Sequence, residues 1–241
     1  MPLSSLASLF KLGIMTRERL FKNAKNLNLE LDCITHYNAL QQQGMYAHGS
    51  EYPLDLYKNG VQQRLENMVN TNHPQVHVLV LGDPERNHGA SYAAEEFAKF
   101  LRAHRKEILV LRIYVQNRRE PPETILVRLL ASLIWCMISL VPDEFRTSDD
   151  LSRQRFKAFM ECGPDCFGMG MRILGALPRL DFKGRKLFCI VDGLEHVEDK
   201  TTLEQVRELV RALRDIVAWN KGQLLYTFNK QSSIIQMATQ C

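Results

Sequence analysis

The chain has 241 residues, six cysteines and a formal net charge of +4 at pH 7. This length allows one large domain with a sizeable core, or one domain with an extension, and the small charge gives no reason to expect nucleic acid as a partner. The longest apolar stretch, residues 129–141, is shorter than the roughly 18–20 residues of a membrane-spanning helix, so no transmembrane segment is expected.

Residues 1–73 are predicted to form an N-terminal extension that is mostly helical or irregular, and residues 74–241 to form the main domain. Leu3, Leu6 and Leu9 have helical spacing, which continues to Ile14 and predicts an amphipathic helix. Because a basic n-region is lacking, no secretory signal is expected. Residues 55–68 predict a further helix, although Gly60 within it disfavours that structure.

The cysteines show no paired CxxC pattern of the kind that structural zinc sites use. Cys136 and Cys189 lie inside apolar runs and are expected in the core. Cys162 and Cys166 are close in sequence, but no second pair or suitably spaced histidine accompanies them. We therefore expect free thiols, a reducing compartment and a cytoplasmic location.

A strand, a glycine-containing loop and a helix are predicted from residue 76 onward. The apolar run of residues 76–81 leads into Gly-Asp-Pro-Glu-Arg-Asn-His-Gly-Ala-Ser, residues 82–91. This order is the context of a phosphate-binding loop, whose backbone N–H groups point at the anion. Gly82, Gly89 and Ser91 stand where glycines and a hydroxyl are needed, but Ala90 takes the place of the lysine and the loop is about two residues too long.

The middle of the chain predicts a strand at residues 108–115 and a buried helix over the apolar stretch 129–141, beginning near Pro121 and Pro122. A further helix is predicted at residues 148–160. Basic side chains in residues 102–106, and Arg112 after them, are expected to reach solvent at the ends of helices or strands. Contact of one of them with a phosphate is the less favoured alternative.

A solid apolar run at residues 187–191 stops at the acidic cluster Asp192-Gly193-Leu194-Glu195. The run has no alternating polar face, which predicts a strand buried on both sides in a parallel sheet. Asp192 would emerge at the carboxyl end of that strand, where a carboxylate can hold a divalent cation. The alternative is an ordinary acidic turn, because Asp and Gly are common turn residues.

A surface helix at residues 202–219 and a strand at residues 223–228 complete the pattern. Strands and helices thus alternate from residue 76 to residue 228, which argues for a parallel α/β sheet with right-handed connections.

The order of elements and both motifs resemble the NTPase domain of NACHT-type STAND proteins, of the kind abundant in fungi. Gly82 and Pro84 match the start of the family's phosphate loop, and Asp192-Gly193-Leu194-Glu195 matches its acidic motif. The resemblance implies an α/β, P-loop NTPase-like three-layer fold with a mainly parallel sheet. It covers roughly Pro74 to the C-terminus.

The resemblance also implies site residues and ligands. Gly82, Pro84, Gly89 and Ser91 would bind a nucleotide, ATP or GTP, and Ser91 with Asp192 would hold Mg²⁺. Glu195 would be the catalytic acid near the attacking water. A scaffold that binds no cofactor is the alternative.

Two functions remain open. The favoured one is a degenerate NACHT/STAND-like module that regulates or binds a protein partner, with weak or absent ATP hydrolysis, because Ala90 removes the charge of the lysine. The alternative is a divergent Mg²⁺-dependent ATPase or GTPase that uses Asp192 and Glu195, with Arg86, His88 or Lys230 replacing that charge. A non-nucleotide α/β enzyme is disfavoured because G-x-S-x-G and H-E-x-x-H motifs are absent.

Overall fold

The computed structural model describes residues 13–27, 60–70, 75–80, 89–115, 120–228 and 232–239. The strands are, in chain order, β1 (Ile14–Thr16), β2 (Gln75–Val80), β3 (Ile108–Tyr114), β4 (Glu144–Arg146), β5 (Lys186–Asp192) and β6 (Gln223–Phe228). The helices are α1 (Arg17–Asn23), α2 (Val61–Asn70), α3 (Gly89–His104), α4 (Pro122–Ile138), α5 (Arg153–Glu161), α6 (Phe167–Ala176), α7 (Leu203–Trp219) and α8 (Ile234–Thr239).

The predicted elements of the main domain are present within one or two residues for the four long strands and for α7. α4 begins at Pro122 as expected, because proline suits the first turn of a helix. α5 begins later than predicted, at Arg153, because Ser152 caps it by accepting a hydrogen bond from the Arg155 amide. Gly60 has a φ of +63° and lies just before α2, so it does not interrupt that helix.

The expectation of a helix that reaches Ile14 is wrong at its C-terminal end, and residues 1–12 lie outside the described residues. Ile14 belongs to β1, which pairs antiparallel with β4. Thr16 then caps α1 by accepting a hydrogen bond from the Arg19 amide. The chain therefore turns from strand to helix where the sequence pattern predicted a continuous helix.

The chain folds into two compact units, and in the described residues it passes from one to the other between Leu129 and Leu130, inside α4, and again between Asp181 and Phe182. The described part of the first unit comprises residues 13–27 and 130–181. It contains the two-stranded sheet, α1, α5 and α6, and α1 packs against α5. Its core includes Leu20, Phe156 and Phe159, each fully buried. The predicted boundary after residue 73 stays a prediction.

A disulfide joins Cys162 to Cys166 across the 3₁₀ turn Gly163–Cys166 in this first unit. The expectation of free thiols is therefore wrong for this pair, because the turn brings two residues four positions apart to a Cα–Cα distance of 5.7 Å. Cys136 and Cys189 form no disulfide with any other cysteine in the described ranges. Cys189 is fully buried, as its position in an apolar strand predicted.

The second unit, whose described part comprises residues 60–129 with gaps and 182–239 with one gap, is an α/β structure around a four-stranded parallel sheet. The strand order is β2-β6-β5-β3, so β6, which comes last of these four in the chain, lies between β2 and β5. All three pairings are parallel. The apolar residues of β5 are at most 1% exposed, which confirms a strand buried on both sides.

Helices cover this sheet on both faces. α2 and α3 pack on one face through a core cluster that includes Leu79, Phe97, Phe188 and Leu225. α7 packs against β6 on the other face, where Tyr226 lies near Arg214 of that helix. This arrangement is compatible with the expected three-layer α/β fold.

No helix in the described ranges is long and apolar enough to cross a membrane.

Candidate functional site

The parallel register brings the carboxyl ends of the four sheet strands into one row. Leu79 of β2 pairs with Thr227 of β6, Thr227 with Asp192 of β5, and Asp192 with Tyr114 of β3. Directly after this row Gly193 has a φ of +83°, and a Cβ there would lie 2.9 Å from the Val115 carbonyl oxygen. Glycine is therefore required to turn the chain sharply after Asp192, which fixes that carboxylate at the sheet edge.

Asp192 is fully buried and its carboxylate accepts hydrogen bonds on both oxygens. Ser91 Oγ donates to Oδ1 at 3.0 Å, and Thr227 Oγ1 donates to the same oxygen at 2.7 Å. Arg112 Nη2 donates to Oδ2 at 3.2 Å. The structure thus brings together Ser91 and Asp192, the two residues that the sequence assigned to a metal, although they are 101 positions apart in the chain.

Arg112 was expected to reach solvent, and this expectation is wrong. It lies inside β3, in register with Ile190, and therefore on the same sheet face as Asp192. Its side chain is only 14% exposed, and its Nη1 contacts Glu95 Oε2 of α3 while its Nη2 contacts Asp192. One guanidinium therefore bridges two carboxylates from different elements. The sequence signal was a single charged residue in an otherwise apolar strand, which requires a buried partner.

Glu95 also lies near Lys99, whose Nζ is 4.0 Å from Glu95 Oε1. Because residues four apart share one face of a helix, Lys99 on the next turn of α3 reaches the same carboxylate. Glu95 and Thr227 were not among the predicted site residues. Thr227 lies beside Asp192 because of the register of β6 against β5. Neither Glu95 nor Thr227 belongs to a sequence motif.

Burial raises the pKa of the Asp192 carboxyl above its ordinary value. The positive charge of Arg112 and the hydroxyls of Thr227 and Ser91 act in the opposite direction, and the negative charge of Glu195 raises this pKa further. Glu195 is therefore close enough to act on Asp192. It is itself buried, at 3% exposure, in the 3₁₀ turn Leu194–Val197.

The start of α3 contains the matched end of the candidate phosphate loop. The helix begins at Gly89, Ala90 is fully buried, and Ser91 is 3% exposed. Ala90 therefore leaves no cation at the position of the motif's lysine. Gly82 and Pro84 lie outside the described residues, as do Arg86, His88 and Lys230.

The helices that come after the neighbouring strands β2 and β6 in the chain lie on opposite faces of the sheet. α3 follows β2 and packs on the face that carries Asp192. α8 follows β6 and packs against β2 and α7, on the other face. Such a switch point at the carboxyl ends of parallel strands is where open α/β sheets bind ligands. Thr227, Asp192 and the start of α3 all lie at this edge.

The residues present do not fit a divalent cation held directly by Asp192. Oδ1 accepts two hydroxyl hydrogen bonds and Oδ2 faces a guanidinium. A cation on Asp192 would have to displace or repel Arg112, since like charges a few Å apart are strongly unfavourable in a buried site. Among the residues that the structure describes, no group of three or more histidine, cysteine, aspartate or glutamate side chains is arranged to hold a metal.

No protein-family model matches the chain, and no curated protein sequence matches it.

Proposed function

We propose that this protein is a degenerate P-loop NTPase-like module, of the NACHT/STAND kind, that acts by regulation or by binding a protein partner, with weak or absent ATP hydrolysis. The observation that carries the proposal is the hydrogen bond from Ser91 Oγ to Asp192 Oδ1 at 3.0 Å. It joins the hydroxyl at the end of the candidate phosphate loop to the acid of the second motif. Both residues lie at the switch point of the sheet, where such a site is expected.

Two features support the absence of turnover. Ala90 cannot place a positive charge on the β- and γ-phosphates, and losing one preorganised electrostatic contact commonly lowers kcat by about 10²–10³-fold. Arg112 holds the carboxylate that would otherwise organise a metal ion. The strand before such a loop and the helix after it can keep their packing role once the chemistry is lost, because β2 and α3 both contribute residues to the core.

The proposal is tested by measuring phosphate release from Mg-ATP and Mg-GTP by the wild-type protein, beside Asp192→Ala and Glu195→Gln. We expect the three proteins to show the same background rate. Asp199→Asn, a change in an exposed turn outside the site, serves as the matched control for carboxylate replacement. Hydrolysis that disappears in Asp192→Ala and Glu195→Gln, but persists in Asp199→Asn, would establish the active NTPase instead.

A further inference from the structure

The charge at the Asp192 edge is already balanced by a side chain of the protein. Arg112 is the cation that contacts Asp192, and it is held in place from its other side by Glu95. The side chains of Arg112 and Glu95 are 14% and 12% exposed, and that of Asp192 is fully buried. The guanidinium is therefore a fixed part of the interior and not a surface group that turns toward an acid by chance.

The position of this guanidinium is the one that a metal ion would need. It contacts Oδ2 of Asp192, whereas the hydroxyls of Ser91 and Thr227 donate to Oδ1. Its Nη2 is also 3.5 Å from the Ser91 carbonyl oxygen. Carboxylate, hydroxyl and carbonyl oxygens are the ligands that Mg²⁺ and Mn²⁺ prefer. The surroundings of the guanidinium are thus those of an oxygen-lined cation site.

We propose that Arg112 is the resident cation of this edge, replacing a divalent metal, so that the wild-type protein takes no Mg²⁺ or Mn²⁺ at Asp192 and gains a divalent-cation site when the guanidinium is removed. The proposal rests on the proposed function in one respect, namely that Ser91 and Asp192 are the metal position of a P-loop-like site. It deepens that function by making the site independent of metal. In such a regulatory module Ser91, at the end of the candidate phosphate loop, and Asp192, in the acidic motif, stay joined without a bound metal ion.

Glu95 gives the arrangement its second support. Without Glu95, an arginine side chain in the middle of a buried strand could swing away from Asp192, since the side chain has several rotatable bonds. The contact of Nη1 with Glu95 fixes the orientation of the guanidinium, so that Nη2 contacts Asp192. The ring of Tyr114 lies beside the guanidinium, with its centroid 5.8 Å from Cζ.

The test is Mn²⁺ binding, measured as the loss of the free-ion signal in electron paramagnetic resonance. The proteins compared are wild type, Asp192→Asn, Arg112→Ala, Arg112→Lys and the double variant Arg112→Ala with Asp192→Asn. We expect no Asp192-dependent binding in wild type and none in Arg112→Lys, which keeps the positive charge. Arg112→Ala should bind Mn²⁺ about a hundredfold or more tightly than wild type, because the repelling charge is gone. The second substitution, at Asp192, should remove that binding.

Two results would overturn the proposal. One is Mn²⁺ binding by wild type that Asp192→Asn abolishes, which would show that Arg112 and a metal share the site. The other is a folded Arg112→Ala protein that gains no Mn²⁺ affinity. If Arg112→Ala does not fold, the Mn²⁺ affinities of wild type and Asp192→Asn still decide whether the wild-type protein holds a metal at Asp192. ATP hydrolysis by wild type would contradict the proposed function, whereas the Mn²⁺ result decides the role of Arg112 separately.

Discussion

Replacing Arg112 by methionine is predicted to lower the free energy of unfolding by about 3 kcal/mol, because breaking a buried ion pair leaves a charge without compensation. Asp192 is fully buried and would lose its only cationic partner among the described residues. Glu95 would be affected less, since Lys99 lies 4.0 Å from it. The expected cost is therefore at the lower end of the range of about 3–5 kcal/mol for buried pairs.

The assay is urea unfolding followed by circular dichroism, for Arg112→Met, Asp192→Asn and the double variant. Asp192→Asn should cost less than Arg112→Met, because Arg112 keeps its contact with Glu95. The double variant should be more stable than the sum of the two single changes predicts, by about 1–3 kcal/mol, since contacting residues couple. Arg211→Met on the exposed side of α7 is the matched control, expected within about 0.5 kcal/mol of wild type. An Arg112→Met protein as stable as this control would show that the contact of Arg112 with Asp192 does not stabilise the fold.

Three further changes test other parts of the second unit. Gly193→Ala should destabilise the protein by about 2 kcal/mol or more in thermal unfolding, because the backbone has a positive φ and the added Cβ would meet the Val115 carbonyl. An unchanged melting temperature would show that this turn does not require glycine. Tyr226→Phe should leave stability unchanged or raise it by about 1 kcal/mol, since the buried hydroxyl has no hydrogen-bond partner among the described residues, and a loss above about 1 kcal/mol would show a missed partner. His77 is hydrogen-bonded to Gln223, and burial lowers its pKa. The free energy of unfolding should therefore fall as the pH drops from about 6.5 through that lowered pKa, and His77→Gln should remove this dependence. Equal pH dependence of wild type and His77→Gln, in urea unfolding at several pH values, would count against this role of His77.

The strands and helices of the sheet could be predicted because their signals are local. Residues 187–191 are apolar without alternation, and residues 202–219 alternate apolar and charged positions at helical spacing. Both patterns follow from burial of one element against its neighbours. Ile14 was placed in the wrong kind of element because its pairing with Arg146 depends on a segment 132 positions away, which no local pattern records.

The candidate site could be predicted only in part, for a related reason. Ser91 was found because it ends the candidate phosphate loop, and Asp192 because it begins the acidic motif; their contact follows from the order of strands and helices. Arg112 and Thr227 are single residues in strands, and their roles depend on the register of β3 and β6 beside β5. The sequence therefore indicated the acid and the hydroxyl but not the cation that contacts the acid's second oxygen. The disulfide of Cys162 and Cys166 was missed because spacing alone does not show that a tight turn aligns two sulfur atoms.

Equilibrium binding of ATP and ADP to wild type and to Asp192→Ala, with Mg²⁺ and with EDTA, is the measurement that decides whether Arg112 takes the place of a metal ion at Asp192. We predict that Mg²⁺ adds nothing to nucleotide affinity in either protein, because Arg112 already holds the carboxylate that a metal would need. An affinity for ATP that Mg²⁺ raises about tenfold or more in wild type, and that Asp192→Ala abolishes, would contradict it and assign Asp192 to a working metal site.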